Sequence, residues 1–304
     1  MKLLIVILFI IFGIFYISKK NTFNKMSIKD VIIDNRYKVW TYNPQEMMNY
    51  IDNSRYINNN SSKYIPDFLK ACNMSVSNSL NNKLYNYIIL DNDNLYKYLP
   101  DFPINLNTRS KYSMKHICDL IGAMILYKYG GLWLSPGTIF LKRNYNDLYN
   151  TMSENDLITF GTINSSNTIG DKTPDNRIIY SKPNSPVIKN YINRLTGIMV
   201  GRIDYLHTHV GFEYNPLGES IQLYKYNVSH YIPMQIGTMN VHGRKLQLDD
   251  FLGKTPIEYQ SDLILISFPY DHLDIETNYE WLKFTKMNSL ISSNINIINY
   301  LNIF

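Results

Sequence analysis

The sequence predicts an α/β domain behind an N-terminal membrane anchor, and three observations carry that expectation. From residue 36 onward, short apolar runs alternate with segments of helical period, the pattern of strands and helices that share one sheet. Residues 115–142, KHICDLIGAMILYKYGGLWLSPGTIFLK, read as helix, tight turn and buried strand. Residues 3–17, LLIVILFIIFGIFYI, form an unbroken apolar run with Lys2 before it and Lys19-Lys20 after it.

The elements follow in order. The apolar run is long enough for a signal-peptide core or a short membrane span. No small-x-small cleavage site follows it, so residues 1–18 are expected to be an uncleaved single-pass anchor. Residues 19–35 are polar and read as a short stem, and 36–304 as the globular domain. Residues 36–42, RYKVWTY, read as the first strand, with Val39 and Trp40 apolar. A helix is expected from Pro44 into the NNNSS loop at 58–62, and another over 64–80. YNYIIL at 85–90 is a strand ending at Asp91-Asn92-Asp93, an acidic pair better explained by an Asx turn than by a metal site.

The central helix is expected from Met114 to Tyr129, because Ile117, Leu120, Ile121, Met124 and Ile125 recur at helical spacing. Gly130-Gly131 should end it, since glycine accepts the positive φ of a helix C-terminus. Leu132-Trp133-Leu134 is a buried strand, broken at Ser135-Pro136-Gly137 and resumed from Thr138. Further on come a helix from Tyr145, strands at 156–160 and 177–180, and a helix opened by Pro186. A helix near 218–226 and a strand at 262–268 complete the pattern.

The stretch around LYKYGGLW resembles a family: the glycosyltransferases with a DXD sugar-binding region, which include capsular polysaccharide synthesis proteins and glucosylating toxins. Asp119, Leu126, Tyr127, Lys128, Tyr129, Gly130, Gly131 and Trp133 stand where the family pattern has them. The segment NRIIYSKPNSPVI at 176–188 is a second, weaker point of likeness. The resemblance implies a GT-A-like nucleotide-sugar-binding domain with a central mixed sheet. Its partners would be a nucleotide-sugar donor, with a UDP-sugar favoured, and a glycan or protein acceptor. It also implies a lumenal location of the ER/Golgi type for an anchored member.

In such a site the resemblance makes Asp119 the catalytic candidate, contacting the donor's sugar or ribose. Trp40, Thr41 and Tyr42, at the end of the first strand, are candidates for the nucleotide base, because aromatic rings stack on bases; a plain core strand explains them equally well. Gly130, Gly131, Ser135, Gly137 and Thr138 are the remaining donor-binding candidates on this stretch.

Two departures stand out. The family's arginine three residues after the aspartate is Gly122, and its Mn²⁺- or Mg²⁺-binding Asp-x-Asp falls on Ser135-Pro136-Gly137. Hard divalent cations want carboxylate oxygens, so Mn²⁺ or Mg²⁺ lacks its usual ligands here. Diphosphate charge would then fall to basic side chains, with Arg109 and Arg143 foremost and Lys111, Lys115, Lys142, Arg177, Arg244 and Lys245 also available. Three function classes remain: a glycosyltransferase working without metal, an inactive relative kept as a sugar- or protein-binding module, and a membrane-anchored structural or surface protein that uses the α/β domain for something unrelated.

Composition removes other classes. The net charge of +5 is spread without a basic run, which argues against a nucleic-acid partner. Cys72 and Cys118 form no zinc spacing, although a disulfide between them is conceivable. His207 and His209 make a two-nitrogen pair without a third ligand. His272 and Trp281 are late candidates for the donor site, by likeness to a C-terminal His or Trp in the family.

Overall fold

A computed structural model describes residues 34–48, 62–106, 114–141, 145–163, 172–201, 216–224, 228–231, 234–274 and 276–301. In chain order the strands are β1 (Tyr37–Tyr42), β2 (Glu46–Met48), β3 (Ser62–Tyr64), β4 (Tyr85–Leu90), β5 (Gly131–Leu134), β6 (Thr138–Phe140), β7 (Leu157–Ile163), β8 (Lys172–Ser181), β9 (Val228–Tyr231) and β10 (Leu265–Ser267). The helices before the C-terminal group are α1 (Asp67–Ser79), α2 (Leu95–Tyr98), α3 (Met114–Tyr129), α4 (Tyr145–Glu154), α5 (Pro186–Gly201) and α6 (Pro216–Leu223). A C-terminal group follows: α7 (Leu248–Leu252), a 3₁₀ turn at Tyr270–Asp274, α8 (Trp281–Phe284), α9 (Met287–Ser292) and a 3₁₀ turn at Asn296–Tyr300.

Six strands make one mixed sheet in the order β4-β1-β5-β8-β7-β9. β4, β1 and β5 are parallel, β8 runs against β5 and β7, and β9 is parallel to β7. The register places Trp40 beside Trp133 and Thr41 beside Leu134, so the carboxyl ends of β1 and β5 finish together. There the chain changes from parallel to antiparallel neighbours, which is where open α/β sheets form ligand crevices.

Two apolar layers hold the sheet. One lies between the sheet and the helices α3 and α5, and includes Trp40, Ile121, Ile125, Trp133 and Tyr191. The other joins Val39, Leu132, Leu134, Phe160 and Ile178 to α4 residues Leu148 and Met152. A third cluster, with Phe68, Phe251, Phe268 and Leu282, seats α1 against the C-terminal group. β6 leaves the main sheet and pairs antiparallel with β10, which ties the turn after β5 to the 3₁₀ turn at Tyr270–Asp274.

The structure corrects several expectations. Glu46–Met48 is a strand paired with Ser62–Tyr64 rather than the start of a helix, because the backbone groups of three residues are satisfied by a partner distant in sequence. Cys72 and Cys118 are both free thiols, each buried. The single-pass anchor and the lumenal placement that rested on it are not supported. Among the described residues no helix is long and apolar enough to cross a membrane. α3 and α5, at 16 residues each, reach only about 24 Å against a hydrocarbon core of about 30 Å. Residues 1–33 themselves lie outside the described residues.

Candidate functional site

The unit that builds the site is α3, its glycine turn and β5. Gly130 and Gly131 take φ values of 66° and 105°, which a side chain resists, and the chain doubles back so that β5 runs under its own helix. Residues at i, i+3, i+4 and i+7 share one helical stripe, here Lys115, Cys118, Asp119 and Gly122. Gly122 lies flat on Trp133: a Cβ there would meet the indole Cε2 at 2.5 Å. The position where the family carries arginine is therefore filled by the tryptophan ring. One turn earlier on the same stripe, Asp119 comes beside the end of β5.

A narrow cleft of about 20 Å³ opens at that point, room for about one water. α3 contributes Lys115, Cys118 and Asp119, and the turn after β5 contributes Ser135 and Pro136. Arg177 enters from β8, and Tyr270 and Asp271 from the 3₁₀ turn. Ser135 is 8% exposed and its Oγ has no hydrogen-bond partner among the described residues, a costly state for a buried hydroxyl. Asp119 is 6% exposed, and its Oδ2 accepts a 2.7 Å hydrogen bond from Asn176 Nδ2. Arg177 Nε lies 3.8 Å from Asp175 and 4.0 Å from Asp271.

These charges are arranged so that the two cleft carboxyls differ. Burial pushes Asp119 up to about 8; Lys115 and Arg177 pull it down, and Asp271 and Asp175 push it further up. Burial also pulls Asp271 upward, but Arg177, Lys115 and His272 outweigh it and hold the carboxyl below its usual range. At neutral pH Asp119 is thus mostly a protonated acid able to donate, and Asp271 an anion able to accept. Burial lowers His116 to about 4, with Lys115 adding to the effect. His272 is also lowered, again chiefly by burial.

Of the residues singled out from the sequence, the cleft unites Asp119 and Ser135 with the cations Lys115 and Arg177. Gly137 and Thr138 follow the lining residues Ser135 and Pro136 in the chain and do not themselves line the cleft. Gly137, at φ 86°, passes within 3.1 Å (Cβ distance) of Phe268 O and Tyr270 Cβ, and Thr138 Oγ1 donates to Ser135 O at 2.8 Å. Gly130 and Gly131 are at the opposite end of β5, about 13 Å away at the rise of a strand. There they pack against Pro183 and the Lys38 carbonyl.

Trp40, Thr41 and Tyr42 are 0%, 3% and 1% exposed, so the core-strand explanation applies to them. Trp40 Nε1 donates to Gly130 O at 2.8 Å, and the Tyr42 hydroxyl donates to Asn92. Asp91 accepts the N–H groups of Asp93 and Asn94, the Asx turn expected. Arg244 is bound to Asp250 at the surface, and Trp281 is 40% exposed and does not line the cleft. Arg109, Arg143, Lys111, Lys142, His207 and His209 lie outside the described residues.

Sequence reasoning missed Asp175, Asn176 and Asp271. Asn176 opens the second stretch of family likeness, and Asp271 precedes the His272 that was noted; neither had a local pattern to mark it.

A divalent cation finds no suitable ligands at the Ser135-Pro136-Gly137 turn. Its only side-chain oxygen is a neutral hydroxyl, and the nearby Asp271 carboxylate faces Arg177 at 4.0 Å. Among the described residues no group of three or more His, Cys, Asp or Glu is placed to hold a metal.

Comparison with known proteins adds the following. A crystal structure of the glycosyltransferase GlyE from Streptococcus pneumoniae is similar at 12% identity, with a TM-score of 0.34, over 66% of this chain and 46% of that one. The chain thus spans under half of that protein's length, and the likeness is too low to carry a conclusion about chemistry. Among curated proteins no match was found. The model of the capsular polysaccharide synthesis proteins matches residues 62–235, more than half of the sequence and all of the α3–β5–β8 framework. The chain therefore belongs to the capsular polysaccharide synthesis protein family, a glycosyltransferase-like family.

Proposed function

We propose that this protein is a glycosyltransferase that takes a nucleotide-sugar donor, a UDP-sugar by preference, at the cleft above the carboxyl ends of β1 and β5. It passes the sugar to a glycan or protein acceptor. Residues 36–304 act as one GT-A-like domain behind a polar stem at 19–35. The observation that carries this reading is the cluster of buried Asp119 with the partly buried Arg177 and Asp271 around the unpartnered Ser135 hydroxyl, at the crevice position of a mixed sheet.

Each residue has work suited to glycosyl transfer. Arg177 and Lys115 oppose the charge of the diphosphate leaving group, which in a water-poor cleft counts for far more than in bulk solvent. Asp119, protonated, donates to a sugar hydroxyl while Asn176 fixes its other oxygen. Ser135 supplies a hydroxyl that gains a partner on binding.

A second reading has its own support: an inactive relative that binds sugar or protein. Ser135-Pro136-Gly137 offers no carboxylate, and the cleft as it stands admits about one water. Thermal shift against a panel of UDP- and GDP-sugars, each with Mn²⁺ and with EDTA, separates the two when followed by an assay of released nucleotide diphosphate. At 100 times its dissociation constant a donor stabilises by about 2.7 kcal/mol. Binding with release of diphosphate supports the enzyme. Binding without release supports the module, and no shift with any donor ends the nucleotide-sugar reading.

A further inference from the structure

We propose that this chain carries a second ligand site, for a neutral oligosaccharide, in an open basin on the C-terminal group. The basin stands apart from the transfer cleft, shares no residue with it, and does not rest on the nucleotide-sugar reading. Its lining falls within residues 240–258, beyond the stretch 62–235 that the family model matches. It holds about 320 Å³, against about 20 Å³ in the cleft. Small-ligand sites begin at about 300 Å³.

Three walls form the basin, and hydrogen bonds fix each of them. The first is the turn at 240–244. Asn240 N donates to Arg244 O at 3.0 Å, and Asn240 Oδ1 accepts the N–H groups of His242 and Arg244 at 3.1 and 2.9 Å. The second is the segment 253–258, tied to that turn by Val241 N, which donates to Glu258 O at 2.8 Å. The third is α7. Asn296 is 2% exposed, and its Nδ2 donates to Asp250 O at 3.1 Å and to Thr255 O at 2.8 Å. One buried side chain thus joins the second wall to the third. A site formed in advance loses less freedom when a ligand arrives.

The lining selects the ligand. Its cations are already matched: Arg244 donates to both Asp250 oxygens at 2.9 and 2.7 Å, and His242 Nε2 lies 3.0 Å from Glu258. Asp249 adds a further carboxylate and accepts from the Tyr279 hydroxyl. No lining cation is left over for a phosphate or sulfate. No lining residue is aromatic, so a quaternary ammonium finds no cage. Among the described residues no group of three or more His, Cys, Asp or Glu is placed to hold a metal. What remains are hydrogen-bonding groups of both senses. Asn240 Nδ2 and the outer N–H groups of Arg244 donate, the second oxygens of Asp249 and Glu258 accept, and the Thr255 hydroxyl does both. Sugar hydroxyls, each a donor and an acceptor, match that mixture. Pro256 and Ile257 supply apolar surface for the C–H face of a ring.

The test is titration of the full chain, followed by saturation-transfer NMR, with maltopentaose, cellopentaose, laminaripentaose and N-acetylchitopentaose, and with pentagalacturonate as the anionic counterpart. At least one neutral chain should bind saturably and more tightly than pentagalacturonate. Glu258→Ala combined with Thr255→Val removes ligand groups at exposed positions and should weaken that binding by about fivefold or more. An unchanged thermal transition shows that this variant is folded. Ser135→Ala, in the transfer cleft, should leave oligosaccharide binding unchanged. Absence of binding by every neutral chain would overturn the assignment, as would tighter binding of pentagalacturonate. So would binding that the double variant retains in full, or that Ser135→Ala abolishes. UDP-sugar titration of the same protein reports on the transfer cleft alone, so failure of that reading is told apart from failure of this one.

Discussion

Replacing Gly131 with alanine tests whether the glycine pair of LYKYGGLW is a backbone device or part of the donor site. Gly131 has a φ of 105°, a conformation that costs an L-residue about 1–2 kcal/mol. Its new Cβ would sit 2.3 Å from the Lys38 carbonyl oxygen and 3.1 Å from the Lys38 carbonyl carbon. That oxygen belongs to β1 in the middle of the sheet and cannot swing aside as a side-chain tip would. Relief requires β1 and β5 to part, at about 1–3 kcal/mol for an overpacked core. The sum, roughly 2–5 kcal/mol, should lower Tm by on the order of 10 °C.

Differential scanning calorimetry measures this directly, with two glycines as controls. Gly243, at φ 78° with nothing within 4 Å of its Cβ position, should cost only the backbone term of about 1 kcal/mol as alanine. Gly197, exposed on α5 with nothing within 4 Å, should gain about 0.5–1 kcal/mol. A Gly131→Ala variant within 2 °C of wild type would refute the reasoning, because no flexible group is available to absorb the clash.

Other outcomes follow from the same geometry. Gly122→Ala should destabilise by about 1–3 kcal/mol through its 2.5 Å approach to the Trp133 indole. Trp133→Phe added to it should recover part of that loss, as a double-mutant cycle in chemical denaturation would show. Trp40→Phe removes the 2.8 Å bond to Gly130 O and core volume, and should cost about 2–4 kcal/mol with nucleotide-sugar affinity unchanged; a selective loss of affinity would restore the base-stacking role.

For Asp119 the sign of the pH dependence is opposite to that of an ordinary salt-bridged carboxylate. Its folded value of about 8 lies above the unfolded 3.8, so the folded chain holds the extra proton between these values. Stability from this group therefore falls as pH rises from about 4, and the loss is complete above about 8. The charges facing it are Lys115 on its own helix, Asp175 and Arg177 from β8, and Asp271 from the 3₁₀ turn. His116 and His272, both lowered from 6.5, stay neutral above pH 7. Asp119→Asn should thus match wild type in Tm near pH 4 and exceed it increasingly up to pH 8, and equal behaviour across that range would contradict the assignment.

What the sequence made legible was local. The α3–turn–β5 unit follows from short-range signals: apolar period, two glycines, then an apolar triplet. The helix bounds Met114–Tyr129 emerge as expected. The Asx turn at Asp91 is likewise a property of four adjacent residues. What stayed hidden depends on chain segments far apart. β2 needs β3 to exist at all. Trp40 could be judged a core residue only once α3 and the Gly130 carbonyl were in place around it. Arg177 was one of eight named cations, and nothing local favoured it over Arg109 or Arg143. Its place beside Asp119 comes from β8 pairing against β5. Asp271 reaches the cleft through the β6–β10 ladder, and no spacing in the sequence announces that pairing.

The central claim is that the cleft at Asp119, Ser135 and Arg177 receives a nucleotide sugar through protein cations. Isothermal titration of the full chain with the UDP-sugar panel, in EDTA, tests it most directly when wild type and Arg177→Gln are compared. The account predicts saturable binding by the wild type and at least tenfold weaker binding by a variant whose circular dichroism is unchanged. Absence of binding to every donor, or binding indifferent to Arg177, would contradict it.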